Sequence, residues 1–438
     1  MRRSTSLAGL MLAALVAPVA AQHEHTVSVD SSHMGLADPL APTTRQGSGT
    51  AWLPDASPMD AIHHTLGGWF LMAHGSVFGE IDAQRGPRGG SEFDAPNWFM
   101  GEAAHPVGGG VFRLRAMMSA DPWTVRSSGY PLLLQTGEAF QGGPLYDRQH
   151  PHDLFMELAA SYAEEIWPGL GLSAYAGPVG EPALGPVAFP HRPSAEFDPA
   201  APLGHHWQDA THIAFGVATV GAFTRTVRFE GSIFNGREPD ENRTTIDFGF
   251  DRFDSWSVRA TVNPAAAWSL SAWYGYLKDV EPTVPGESMH RFGASVLQST
   301  RLGEGRAWAS ALIYGANEVV GSGDVRHSLL LESTYDLDPG NTVFGRAEYV
   351  RKGADDLGVL TVATGTAFDV GAVALGFAHT YDIRHVRISA GARGAVDFVP
   401  ETLRPFYGSS TPVGAIVFVR LLLTMNRMMA DMGGMTMD

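Results

Sequence analysis

Two short stretches of this sequence place imidazoles and carboxylates close enough together to hold a transition metal. In Asp147-Arg148-Gln149-His150-Pro151-His152-Asp153, two histidines and two carboxylates fall within seven residues. In Gly204-His205-His206-Trp207-Gln208-Asp209-Ala210-Thr211-His212, three histidines and Asp209 close a long segment rich in proline and glycine. Neutral imidazole and carboxylate oxygen suit zinc and copper(II). His150, His152, His205, His206, Asp209 and His212 are therefore candidate ligands, joined by His191 if the two loops fold towards one point. The competing use of the same residues is structural, as turn and cap partners or as ordered polar contacts in a constriction.

A softer donor set lies at the chain ends. Six of the 16 methionines fall in the last fourteen residues, and Met428, Met429, Met432, Met435 and Met437 stand there with few other apolar residues to make a core. There is no cysteine, so soft ligation has to come from thioether or imidazole. Thioether sulfur favours Cu(I) and Ag(I), which makes a copper ion the candidate ligand of this tail; a plain unstructured end is the alternative. The opposite terminus adds His23, His25, His33 and Met34, followed by Met59, His63 and His64.

The elements that must position these groups read as strands. In Ser255–Val262, Trp256, Val258, Ala260 and Val262 share one face, and Ser255, Ser257, Arg259 and Thr261 share the other. Val227–Phe234, Ala267–Lys278 and Val386–Asp397 alternate in the same way, and no apolar run is long enough for a membrane helix. Segments of about ten residues with period two, repeated without helical stretches between them, predict an all-β fold: a transmembrane antiparallel up-and-down β-barrel of about 16 strands. The expected strands are 66–84, 96–104, 109–120, 153–164, 169–178, 211–222, 226–236 and 252–262, then 267–279, 288–301, 306–318, 325–336, 342–352, 370–382, 385–397 and 412–424. Short turns, such as Trp167-Pro168-Gly169 and Asp382–Arg384, alternate with long connections at 121–152, 179–210, 235–251 and 398–411. Short periplasmic turns and long outer loops are the barrel pattern, and an even strand count puts both tails in the periplasm.

A charge facing lipid at the bilayer midplane costs about 2–4 kcal/mol, so charged residues of the strands must face the lumen. Arg113, Arg115, Glu157, Arg228, Glu230, Arg259, Arg291, Arg326, Glu332, Arg346, Glu348, Arg387 and Arg393 are the expected lumen residues. They can serve as a pore lining that selects anions, or as an ion-pair network that fills and stiffens the interior. The loop Asn235–Arg243 alternates charges of both signs and lacks a spaced calcium-loop motif, so a salt-bridged loop is expected there.

Arg2, Arg3, the apolar stretch Leu7–Val19 and Val19-Ala20-Ala21 have the form of a secretory signal peptide ending at residue 21. The expected organisation is a leader at 1–21, a histidine-containing periplasmic segment at 22–60, a barrel at 61–424 and a methionine-rich tail at 425–438. Removing Arg2 and Arg3 takes the net charge from −16 to about −18, which argues against nucleic acid as a partner. Outer-membrane lipids, the barrel-assembly machinery and a small solute or ion are the expected partners.

Trp52–Met59, Tyr130–Glu138, Asp147–Asp153, Gly204–His212 and Asn235–Arg243 resemble a porin-like family of bacterial outer-membrane barrel proteins, over about residues 50–424. That resemblance implies an outer-membrane barrel and a frequent association with copper handling, with no catalytic residues attached. The histidine- and methionine-rich tails are similar to those of outer-membrane copper-resistance proteins. The last strand, with Phe418, is followed by a tail where many such barrels end on an aromatic residue. Three functions follow in order: a channel for small solutes or ions, a copper-binding scaffold, and a lipid hydrolase using a pair such as His327 and Ser328. The last has no nucleophile-elbow signature, so no enzyme activity is expected.

Overall fold

Period-two alternation becomes a wall with two chemically different faces. The computed structural model describes residues 38–424, apart from 210–212, 250–251, 282–283, 285, 364 and 384–385. The leader, the N-terminal histidines, His212 and the methionine-rich tail lie outside the described residues. In chain order the strands are β1 (Ile62–Leu66), β2 (Trp69–Gln84), β3 (Gly90–Asp94), β4 (Asn97–Val107), β5 (Gly110–Met118), β6 (Tyr130–Phe140), β7 (Gly143–Gln149), β8 (Phe155–Trp167), β9 (Leu170–Gly180) and β10 (Ala214–Phe223). They continue with β11 (Val227–Phe234), β12 (Ser255–Ala265), β13 (Trp268–Leu277), β14 (Met289–Gly303), β15 (Arg306–Val319), β16 (Val325–Asp338), β17 (Asn341–Gly353), β18 (Ala367–Ile383), β19 (Val386–Phe398) and β20 (Val413–Leu423).

Neighbouring strands are antiparallel, and β2 pairs with β4 on one side and β20 on the other, which closes the sheet. The eighteen strands of this sheet include β1 and β3, short segments laid along β2, so the closed wall has sixteen staves. These are the sixteen strands expected from the alternation, with every end within three residues. Closure gives each wall strand a partner on both sides, which is what lets strands cross a membrane.

The outer face is apolar. Leu114, Val220, Phe229, Leu375 and Val417 are exposed on it, and the inward neighbours Arg113, Arg228, Glu230 and Ile416 are buried. Trp167, Trp268, Trp308, Tyr335 and Tyr381 are exposed near the short turns, and Trp256, Tyr274 and Tyr349 towards the opposite rim. An apolar belt with aromatic residues at both edges is the lipid-facing surface of an outer-membrane barrel. In the last strand Val417, Val419 and Leu421 face outwards, and Phe418 points inwards against Phe78 and Phe344.

The interior is filled by the chain itself. Residues 38–61 do not stand apart from the barrel. Arg45 donates to the Arg225 carbonyl, Asn263 Nδ2 donates to the Leu53 carbonyl, and Ser269 donates to the Trp52 carbonyl. These contacts place the segment across the lumen near the short turns. Residues 181–209 pack beside it, and the Ala188 N–H bonds Ser48 Oγ. Leu53, Leu184 and Val187 form one apolar core with the inward-facing Val217, Phe234, Trp273, Ile313 and Leu330. Apolar side chains packed on the inner wall exclude water as in a soluble domain. The hairpin β6–β7 lies within the connection between β5 and β8 and, among the described residues, pairs only with itself.

Candidate metal centre

His150 follows directly after β7, where pairing of Tyr130 with Gln149 fixes the base of the hairpin. His205 and His206 open the short helix α1 (His205–Gln208), which packs on β14, β15 and β16. Gly315 on β15 makes room for it, since a Cβ there would collide with the Trp207 carbonyl. Gly137 of β6 has φ of +115°, and a Cβ there would collide with the His206 ring. Both glycines are thus needed for close approach, and Gly137 for its backbone conformation as well.

The three rings meet in a buried cluster. One ligand atom from each of His150, His205 and His206 lies within 4.8 Å of the other two, and ring centroids are 4.2 Å apart for His205 and His206 and 5.9 Å for His150 and His206. Each ring is oriented from behind through Nδ1. His150 Nδ1 is 3.1 Å from the Pro151 carbonyl and 3.2 Å from Glu138 Oε1, His206 Nδ1 is 2.9 Å from Glu238 Oε1, and His205 Nδ1 faces the Pro202 carbonyl. With the proton on Nδ1, the lone pair is on Nε2, the arrangement by which carboxylates and carbonyls orient ligating histidines. His150 Nε2 is buried and has no hydrogen-bond partner among the described residues. Burial, with Arg243, His206 and His152 around it, holds His150 well below the ordinary imidazole range, so its ring is neutral. Neutral nitrogen is the form that binds metal.

Buried carboxyl groups crowd behind the rings. Burial, together with Asp153 and Glu238, holds the Glu138 carboxyl well above its ordinary range despite Arg243, and burial with Glu238 and Asp356 does the same to Glu281. The donor set fits zinc or copper(II). Nitrogens on a tetrahedral zinc stand about 3.4 Å apart for Zn–N distances of about 2.0–2.1 Å, so closing on an ion needs side-chain shifts of about 1 Å.

Not every expected ligand joins the cluster. His152 turns to Asp121, with Nδ1 2.7 Å from Oδ2, and that carboxylate raises its pKa although burial opposes. Asp209 is buried nearby, and its backbone carbonyl accepts from Arg291. His191 lies elsewhere, beside His74, Trp98 and Met117. The loop expected to be a solvated salt bridge instead folds back, delivering Glu238 to His206 and Arg243 to Glu138 and Asp153.

The expected lumen residues are all engaged. Arg113 bonds Glu102 and Asp38, Arg115 lies 3.1 Å from Glu102 and 3.5 Å from Glu157, and Glu230 holds both Arg228 and Arg259 at 2.9 Å. Arg291 donates to Asn317 at 2.8 Å, and Arg387 bonds Asp60 and Asp382. Arg346 lies 3.2 Å from Glu332 and 3.4 Å from Asp198, Arg393 2.9 Å from Asp198, and Glu348 accepts from the Leu203 N–H at 2.6 Å. Arg326 pairs with Asp356 at 2.9 Å. Several partners come from residues 181–209, which with residues 38–61 form a plug inside the wall, and were not singled out in the sequence: Arg192 bonds Glu332, and Glu196 bonds Arg420.

Similarity to known proteins is confined to the barrel. No protein-family model matches the sequence, and no curated protein matches it. Among solved structures, OmpF of Salmonella typhi in complex with daunomycin superposes with a TM-score of 0.52 at 10% identity, covering 83% of this chain and 100% of that chain. The outer-membrane channel DcaP of Acinetobacter baumannii gives 0.48 at 10% identity, covering 83% of this chain and 100% of that one. The anion-selective porin of Comamonas acidovorans gives 0.47 at 10% identity, covering 81% and 100%. The fold is that of a porin barrel. The likeness to OmpF agrees with the closed sixteen-strand wall, and the apolar belt places that wall in an outer membrane.

Proposed function

We propose that this protein is a porin-like outer-membrane channel for small solutes or ions, kept shut by its own folded plug, and that a borderline divalent ion, zinc or copper(II), ties the plug to the mouth. The observation that carries the closed state is the ion-paired, apolar-cored segment inside the wall. Asp198 by itself reaches two wall arginines, Arg346 on β17 and Arg393 on β19. An ion on His150, His205 and His206 would link the hairpin connection to the plug, with Glu138 and Glu238 orienting the ligands from two separate loops. The sixteen-strand circumference supports the channel reading, since barrels of this size leave an aqueous path once cleared.

The test is metal stoichiometry of the refolded full chain, compared with a His205→Ala/His206→Ala variant. The wild type is expected to bind one more equivalent of Zn(II) or Cu(II) than the variant, whichever further ions the tails take up. Equal stoichiometry and affinity in the two proteins would overturn the metal assignment.

A further inference from the structure

Across the first three full staves, one row of the inner wall carries only soft or neutral donors. His74 on β2 is directly opposite Met100 on β4, and Met100 is directly opposite Met117 on β5. Directly paired positions have Cβ atoms about 4.5–5.5 Å apart, so three adjacent side chains line up across the wall. The plug lays His191 over this row. Its Nε2 is 3.3 Å from Met117 Sδ, and its ring centroid is 5.7 Å from that of His74. Trp98 closes one side, 4.7 Å from the His191 ring and 5.0 Å from the His74 ring. His74 Nε2 is buried with no hydrogen-bond partner among the described residues. A cavity of about 110 Å³ opens beside the row, with Met59, Met72, His74, Met100 and His191 in its lining.

From this juxtaposition we infer a soft monovalent metal site, for Cu(I) or Ag(I), formed by His74, Met100, Met117 and His191. Two thioethers and two imidazoles make a neutral N₂S₂ set, which suits a soft ion. With metal–nitrogen and metal–sulfur distances of about 2.0 and 2.3 Å, donors 3.3 Å apart subtend about 100° at the ion, close to tetrahedral. Arg115 lies on the same cavity, and its positive charge disfavours a divalent ion more than a monovalent one. Plain core packing accounts for the buried methionines and does not account for the unsatisfied His74 nitrogen, since a buried polar atom without a partner is costly. The site shares no residue with the three-histidine centre, and its occupancy does not depend on it.

Ag(I) is the probe, because it matches Cu(I) in softness and needs no reductant. The refolded full chain is titrated with Ag(I) against a competing chelating dye, together with Met100→Leu/Met117→Leu and His191→Gln. Leucine for methionine keeps the volume of the wall, and residue 191 lies on the plug, so its replacement leaves every wall strand intact. The double variant is expected to bind one Ag(I) fewer than wild type while keeping the Zn(II) equivalent of the three-histidine centre. His191→Gln is expected to weaken that same Ag(I) equivalent at least tenfold, and it decides the question if the double variant does not refold. Unchanged Ag(I) stoichiometry and affinity in His191→Gln would overturn the site. So would loss of the equivalent in His205→Ala/His206→Ala instead.

Discussion

His206 takes its chemical role from residues far away in the chain. Glu238 fixes its Nδ1, and Gly137 lets its ring come close to the hairpin. Alanine at 137 would hold a backbone conformation that L side chains rarely adopt, at a cost of about 1–3 kcal/mol, and would push the ring away. Gly137→Ala is therefore expected to lose the zinc equivalent of the cluster while the barrel stays folded, which equilibrium dialysis can read. Glu238→Gln keeps an acceptor but removes the charge, and a loss of about 10–100-fold in metal affinity is expected, as for other groups that orient a ligand. As candidate ligands, His150, His205 and His206 were legible in the sequence because they stand in dense polar clusters. Their selection from the wider set was not. Whether His150 or His152 enters the cluster depends on Asp121, which takes His152 across 31 positions of chain.

The strands were legible to within a few residues because one side of each meets lipid and the other meets protein, and period two records that contrast. The plug has no period to read. Residues 38–61 and 181–209 are held by single long-range contacts, such as Ser48 with Ala188 and Glu196 with Arg420, that no local pattern announces. The proline- and glycine-rich stretch before Gly204 contains apolar residues that must pack, which points to a folded loop partly entering the barrel mouth, and residues 38–61 carry no such signal. One contact within the plug makes docking sensitive to pH. Burial, with Glu157 and Asp209 nearby, pushes the Glu181 carboxyl from 4.5 up to about 8, although a hydrogen bond to Ser48 opposes the shift. A carboxyl raised in the docked state favours docking fully below about 4.5, and that contribution is lost as the pH climbs through about 8. Protease cleavage within residues 181–209 is expected to speed up between pH 5 and pH 9 in the wild type, and to change less in Glu181→Gln.

The molecule is a porin-type wall around a packed interior, and the inner charges connect the two. Arg346 and Arg393 face each other across Asp198, and Arg346 also meets Glu332, which Arg192 of the plug shares. Removing one member of such a buried set leaves a charge unpaired, at a cost of about 3–5 kcal/mol. Loss of Asp198 is therefore expected to favour release of the plug while the strand pairing is kept. An arginine-lined anion path and a stiffening ion-pair network were both readable from the sequence. The structure places the arginines in the second arrangement, and release of the plug would expose them to the first. The measurement that bears most directly on this account is planar-bilayer conductance of the refolded wild type beside Asp198→Ala. The wild type should stay silent at neutral pH, and the variant should show discrete, anion-preferring steps. Steady open steps of the same size in both proteins would contradict a channel held shut by its plug.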